Sequence, residues 1–78
     1  MYYVYILRCS NGKLYTGCTS DINERLARHN NGYVTSTQNI RPVNLITYTA
    51  FSEKHKAFEF EKYLKTGSGR AFTNKHLV

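Results

Sequence analysis

Long apolar runs are missing from this sequence. The longest, Tyr2 to Leu7, is the length of a strand, whereas a membrane-spanning helix takes about 20 apolar residues. The N-terminus has no basic segment ahead of an apolar one, so no secretory signal is expected and the cytoplasm is the default compartment. Cysteine is scarce as well. Cys9 and Cys18 are too few for a disulfide scaffold, and they fall near opposite ends of an expected hairpin, too far apart to bridge. No C-x2-C or H-x3-H pair involves them or His29, His55 and His76, so free thiols are expected and not a structural zinc site. Acidic residues are the third shortage. Asp and Glu number 5 against 11 Lys and Arg, giving a net charge of +6 and a pI near 9.6. A small basic domain commonly meets a polyanion, and with no polybasic block or membrane-type amphipathic helix, nucleic acid is favoured over lipid. Charge kept for solubility is the alternative.

What is present reads as one domain, residues 1–78, with no repeat and no linker. Hydrophobic residues at 41% and charged residues at 21% argue against disorder. Tyr2 to Cys9 is aromatic and β-branched, as a strand packed on both faces would be. Ser10-Asn11-Gly12 signals a turn, and Lys13 to Cys18 reads as the returning strand. Thr19-Ser20-Asp21 then offers N-cap chemistry, with Glu24 spaced to close a capping box. The helix should run from Ile22 to about His29, with Ile22 and Leu26 buried and Asn30-Asn31-Gly32 ending it in left-handed conformations.

Tyr33 to Asn44 has no period and reads as a long loop ending at Arg41-Pro42, a length more often functional than idle. Leu45 to Phe51 is a third strand. Ser52 is expected to cap a second helix, Glu53 to Lys65, stopped by Gly67, and Arg70 to Leu77 a short terminal helix packing Phe72 and Leu77. The order β-β-α-β-α-α predicts an α+β domain on a three-stranded antiparallel sheet.

Two helix faces carry polar residues worth weighing. At 100° per residue Ala57, Phe60, Tyr63 and Leu64 fall on one side of the second helix and Glu59 on the other. Glu61 falls at the margin of the buried stripe, where a carboxylate is either half-solvated or engaged with a cation. On the first helix Arg25, Arg28 and His29 gather on one flank, which suits a phosphate and equally suits a solvated face. Gly67-Ser68-Gly69 lacks the frame of a phosphate loop and reads as a helix end with a flexible connector.

Together these residues form a pattern. Tyr3-Val4-Tyr5, Tyr15-Thr16-Gly17, Arg25 and His29 on the next helix, and Glu61 resemble the GIY-YIG nuclease superfamily over nearly the whole chain. The likeness is greatest to its small single-domain bacterial members, through Leu14 to Gly17, Arg25-x3-His29-Asn30, Arg41-Pro42, Ala57-x3-Glu61-x2-Leu64-Lys65, and the tail Lys65 to Phe72. Tyr3 stands where the first motif has glycine, and Thr16 where the second has isoleucine or valine.

The resemblance implies one-metal hydrolysis of phosphodiester bonds in DNA, with repair or recombination as its setting. It implies Tyr5 as general base, Arg25 on the scissile phosphate and Glu61 as ligand to a single Mg2+ or Mn2+, weakly bound without substrate. Tyr15 would orient water or phosphate, with His29 in support and Lys13, Arg28 and Arg41 on the substrate. A phenol of pKa near 10 needs about 4 kcal/mol of differential stabilisation to reach 7, and Lys13, Arg25 and the metal are the cations expected to supply it. A basic nucleic-acid-binding module that has lost the chemistry is the alternative. A protein-interaction domain would leave the charge unexplained.

The chemistry also constrains the hairpin. A two-residue Asn11-Gly12 turn, the commonest local reading, would put Tyr5 and Tyr15 on opposite faces. A three-residue Ser10-Asn11-Gly12 loop pairs Cys9 with Lys13 and puts both tyrosines on one face. The second register is expected, with Gly12 at positive φ.

Overall fold

The computed structural model describes residues 1–78. Three strands, β1 (Tyr2–Arg8), β2 (Leu14–Thr19) and β3 (Asn44–Phe51), form an antiparallel sheet in the order β2-β1-β3. Helix α1 (Ile22–Asn30) follows β2, while α2 (Lys54–Leu64) and α3 (Gly67–Phe72) follow β3, and α3 runs on into one π-helical turn, Thr73–Leu77. The expected β-β-α-β-α-α order is therefore the observed one.

The hairpin takes the three-residue loop. Tyr5 opposes Gly17, Leu7 opposes Tyr15, and the Cys9 N–H donates to the Lys13 carbonyl at 2.9 Å. Gly12 has φ 84, as that loop requires. Side chains alternate from there, so the two faces of β1 carry different residues. Tyr5, Leu7 and Cys9 pack with Val43, Leu26, Ile40 and Leu45 beneath α1 and the long loop. Val4 and Ile6 pack with Ala57 and Leu64 beneath α2, joined by Phe51, Phe60, Phe72 and Leu77. The central strand is thus buried on both faces by different partners. Both cysteines are free, and they belong to opposite faces.

Local chemistry departs from expectation at the helix ends. Asp21 caps α1, accepting from the Glu24 N–H at 3.0 Å, but Glu24 does not reciprocate. The Asp21 N–H is already satisfied by the Thr19 hydroxyl at 3.1 Å, which leaves the Glu24 carboxylate near Arg28 at 3.9 Å. At the other end only Gly32 is left-handed, and Asn31 keeps φ −88. The Tyr33 N–H reaches back to the Arg28 carbonyl and that of Gly32 to His29, a Schellman closure needing one such residue. Glu53, not Ser52, precedes α2, and it makes no side-chain cap bond.

Gly67 does not stop α2 either. The helix ends at Leu64, and Thr66 restarts the chain: its hydroxyl donates to the Tyr63 carbonyl at 2.6 Å and accepts from the Gly69 N–H at 3.1 Å. Gly67 to Gly69 is therefore the first turn of α3 and not a flexible connector. Tyr63, expected in the buried stripe, is 41% exposed, its ring resting against Phe60 and Phe72.

Candidate active site

Tyr5 occupies the middle of the central strand and is only 2% exposed. Its cross-strand partner is Gly17, where an added Cβ would run into the Tyr5 ring and hydroxyl. The missing side chain lets the phenol lie across the neighbouring strand. There its hydroxyl meets His29 Nε2 at 3.0 Å, and His29 Nδ1 meets the Thr37 hydroxyl at 2.8 Å. His29 and Thr37 are both fully buried.

The proton order in this chain follows from acidity. Burial first, then the neighbouring Tyr15 and Glu61, push Tyr5 up to about 12 against the pull of Arg25, so the phenol keeps its proton. Burial, with Arg25 and Arg28 adding to it, pushes His29 below its ordinary value, so the imidazole is neutral. A neutral phenol donates to Nε2, which leaves the imidazole proton on Nδ1 to be donated to Thr37. The Thr37 hydroxyl passes its own to the Val34 carbonyl at 3.4 Å. Every member then has a partner. Of the chain's own cations expected to bring Tyr5 toward neutrality, Lys13 sits exposed at the hairpin end and takes no part, and Arg25 alone opposes the burial.

Tyr15 closes the group, its ring edge-on to His29 at 4.9 Å and 6.3 Å from Tyr5. Arg25, on the inner flank of α1, has its Nε buried without a hydrogen-bond partner. A buried charged donor left unpaired is costly, so it identifies a place where an anion would be stabilising. Glu61 comes from α2, on the other face of the sheet. Its carboxylate accepts from Lys65 Nζ at 3.0 Å and is 23% exposed. The charges of Arg25 and Glu61 both reach Tyr5 and Cys18, so the two helices bring opposite charges to the β2 side of the sheet.

No cluster of three metal-ligating His, Cys, Asp or Glu side chains occurs. A lone, partly exposed carboxylate fits a hydrated Mg2+ or Mn2+ that takes its other ligands from water and phosphate oxygens, once Lys65 withdraws. It does not fit a tightly caged metal.

The outer residues separate by role. Arg28 is exposed and lies near Glu24. Arg41 clasps the end of α1: Nε donates to the Gln38 carbonyl at 2.9 Å and Nη1 to the Asn30 carbonyl at 3.3 Å, leaving its remaining N–H groups outward. Asn30 adds a second clamp, accepting from the Val43 N–H at 2.9 Å and so tying α1 to the start of β3. Thr37 is the site residue that sequence reasoning missed. Its only signal is a place in a long polar loop, where no periodicity singles out one hydroxyl.

Known proteins resemble this chain in sequence and in fold. A UPF0213 protein of Staphylococcus saprophyticus is 41% identical over 68 residues, 86% of this chain and 83% of its own. The UPF0213 protein in the ldhD 5' region of Pediococcus acidilactici is 39% identical over 70 residues, 86% of this chain and 71% of its own. The solution NMR structure of the Bacillus halodurans UPF0213 protein superposes with a TM-score of 0.60 at 32% identity, covering 96% of this chain and 84% of that one. The family model of the GIY-YIG catalytic domain matches residues 1–75, taking in both tyrosine motifs, the α1 arginine and histidine, and the α2 glutamate. On that match, the chain belongs to the GIY-YIG catalytic-domain family.

Proposed function

We propose that this protein is a metal-dependent endonuclease that hydrolyses phosphodiester bonds of DNA. The observation carrying the reading is the buried Tyr5–His29–Thr37 chain beside the unpartnered Arg25 Nε. A core built for stability alone gains little from a wired phenol next to a buried Arg25 Nε that has no partner.

Hydrolysis needs a proton taken from water, charge stabilised on the pentacoordinate phosphate, and a neutralised leaving oxygen. Tyr5, held near 12, is a poor base by itself. With His29 Nε2 at 3.0 Å, however, the phenol gives up its proton as it takes one from water, and the neutral imidazole is the final acceptor. Thr37 keeps that acceptor in the Nδ1–H tautomer. Arg25 supplies N–H donors to the phosphate oxygens, and Tyr15 confines the attacking water beside Tyr5. Glu61 would hold the divalent cation, which supplies positive charge at the leaving oxygen.

The test is a panel of labelled DNA substrates with Mg2+, Mn2+ or EDTA, run beside Glu61→Gln and Tyr5→Phe. Metal-dependent cleavage by the wild type, lost in both variants while DNA binding persists, is the expected outcome. Wild-type binding with no cleavage in either metal would instead establish a binding module.

A further inference from the structure

Between the hairpin and the C-terminal helices lies a cleft of about 580 Å3, of whose lining only Tyr15 has a role in the proposed chemistry. Its walls are far apart in sequence: Lys13 to Thr16 on one side, Leu64, Lys65 and Arg70 on the other. We propose that this cleft binds the backbone phosphates of the DNA strand next to the cleaved bond, with Arg70, Lys65 and Lys13 as its cations. The proposal rests on the endonuclease reading for its occupant and extends it to a site of its own.

Charge is the first support. Three cations line the cleft and no carboxylate does. The side chains of Arg70 and Lys13 have no ion-pair or hydrogen-bond partner, whereas Arg28 lies near Glu24. Six of the nine lining residues are polar or charged. Lysine and arginine at intervals along an open groove suit the repeating charge of a strand.

Position is the second. Tyr15 lines the cleft and also stands 4.9 Å from His29, so the cleft adjoins the proposed catalytic group. Lys65 lines it too, and donates to Glu61 at 3.0 Å. A strand in the cleft would thus pass both the proton-transfer side and the proposed metal side.

The third support is how Arg70 gets there. Gly69 is buried, and a Cβ on it would run into the Tyr63 carbonyl and Leu64 Cα. With Thr66 bonded to both helices, this contact folds α3 tightly against the end of α2 and fixes Arg70 beside Lys65. The Lys65 to Phe72 segment therefore has a use beyond packing.

The test is DNA binding by fluorescence anisotropy in EDTA over a salt series, with cleavage measured separately in Mg2+ and Mn2+. Arg70→Gln and Lys13→Gln are compared with Lys56→Gln, an equal charge change on an exposed position of α2 outside the cleft. Each cleft variant should lose affinity several-fold and flatten the log K against log salt slope by about 0.7–0.9, one phosphate contact. Lys56→Gln should leave the slope unchanged, and Arg70→Lys should restore it. Should Arg70→Gln and Lys13→Gln keep the wild-type slope, the cleft is excluded even if the protein cleaves DNA. Should the wild type bind without cleaving, the slopes still decide the cleft while the endonuclease reading falls. A wild type that binds no DNA overturns both. All variants are exposed-site changes, and a thermal melt checks that each is folded.

Discussion

The two faces of the central strand are built on different physics. One face, Val4 and Ile6 against Ala57 and Leu64, is apolar and rimmed by aromatic rings, Phe51 to Phe60 at 5.4 Å and Phe60 to Phe72 at 6.3 Å. The other places a phenol, an imidazole and a hydroxyl at the same depth and joins them by two short hydrogen bonds. Non-directional burial tolerates adjustment, whereas a buried polar chain must be satisfied at every member or it destabilises. The fold therefore divides its labour within one strand. Even-numbered residues of β1 hold the sheet to α2 and α3, the side that also carries Glu61, and odd-numbered Tyr5 presents the proton-transfer chain.

The sharpest way to break this division is on the apolar face. Ile6 is 1% exposed and sits at the centre of its cluster. Ile6→Ala removes buried methylene and methyl groups and should cost about 2–5 kcal/mol in chemical denaturation. In the fraction still folded, kcat should stay near the wild-type value, since the polar chain lies on the opposite face and Glu61, though on α2, is not part of the Ile6 cluster. Lost activity in the folded fraction would show that the two faces are not independent.

A smaller effect on stability, with a larger one on chemistry, is expected from Thr37→Val. The change leaves the His29 Nδ1–H buried without an acceptor, at a cost of about 1–3 kcal/mol. The imidazole is then free to carry its proton on Nε2, the position that must accept from Tyr5. Under the proposed mechanism kcat falls while KM holds. Equal losses in kcat and kcat/KM that the more destabilised Ile6→Ala does not show would support that assignment, and an unchanged kcat would remove Thr37 from the mechanism.

The sequence was legible where a rule and the three-dimensional demand agreed. Asp21 as a cap, the Ala57 and Leu64 stripe and the half-wet margin position of Glu61 all follow from spacing. The hairpin register was legible only because two tyrosines were required on one face; Asn11-Gly12 by itself argues for the other turn. The end of α2 misled because a glycine after a helix ordinarily caps it. Nothing local reports that Gly69 presses on the Tyr63 carbonyl, which is why the chain restarts as α3 at Gly67. The part of Lys13 in the acidity of Tyr5 was misjudged for a related reason. Counting cations along the chain shows neither that Lys13 is remote nor that the phenol is almost wholly buried.

The mildest probe separates the faces by pH. His29 is fully buried and its pKa is depressed, so it is neutral in the folded protein under conditions where an unfolded imidazole would already be charged. Below an ordinary histidine pKa of about 6.5 the unfolded chain takes up a proton that the folded chain refuses. Stability is therefore fully present above that value and is lost as pH falls toward the folded pKa, by at most about 1.4 kcal/mol per pH unit for one proton. The buried apolar cluster of Val4, Ile6, Ala57 and Leu64 contains no titratable side chain. Urea denaturation between pH 7 and pH 5 should show this slope in the wild type and in Ile6→Ala alike, and a shallower one in His29→Gln. A slope that survives in His29→Gln would place the titrating group elsewhere. If instead the slope is lost with His29, the proton that limits acid stability is the one the proposed mechanism needs absent from Nε2. Cleavage by the folded protein should then hold through that window and fall only as pH reaches the lowered folded pKa of His29.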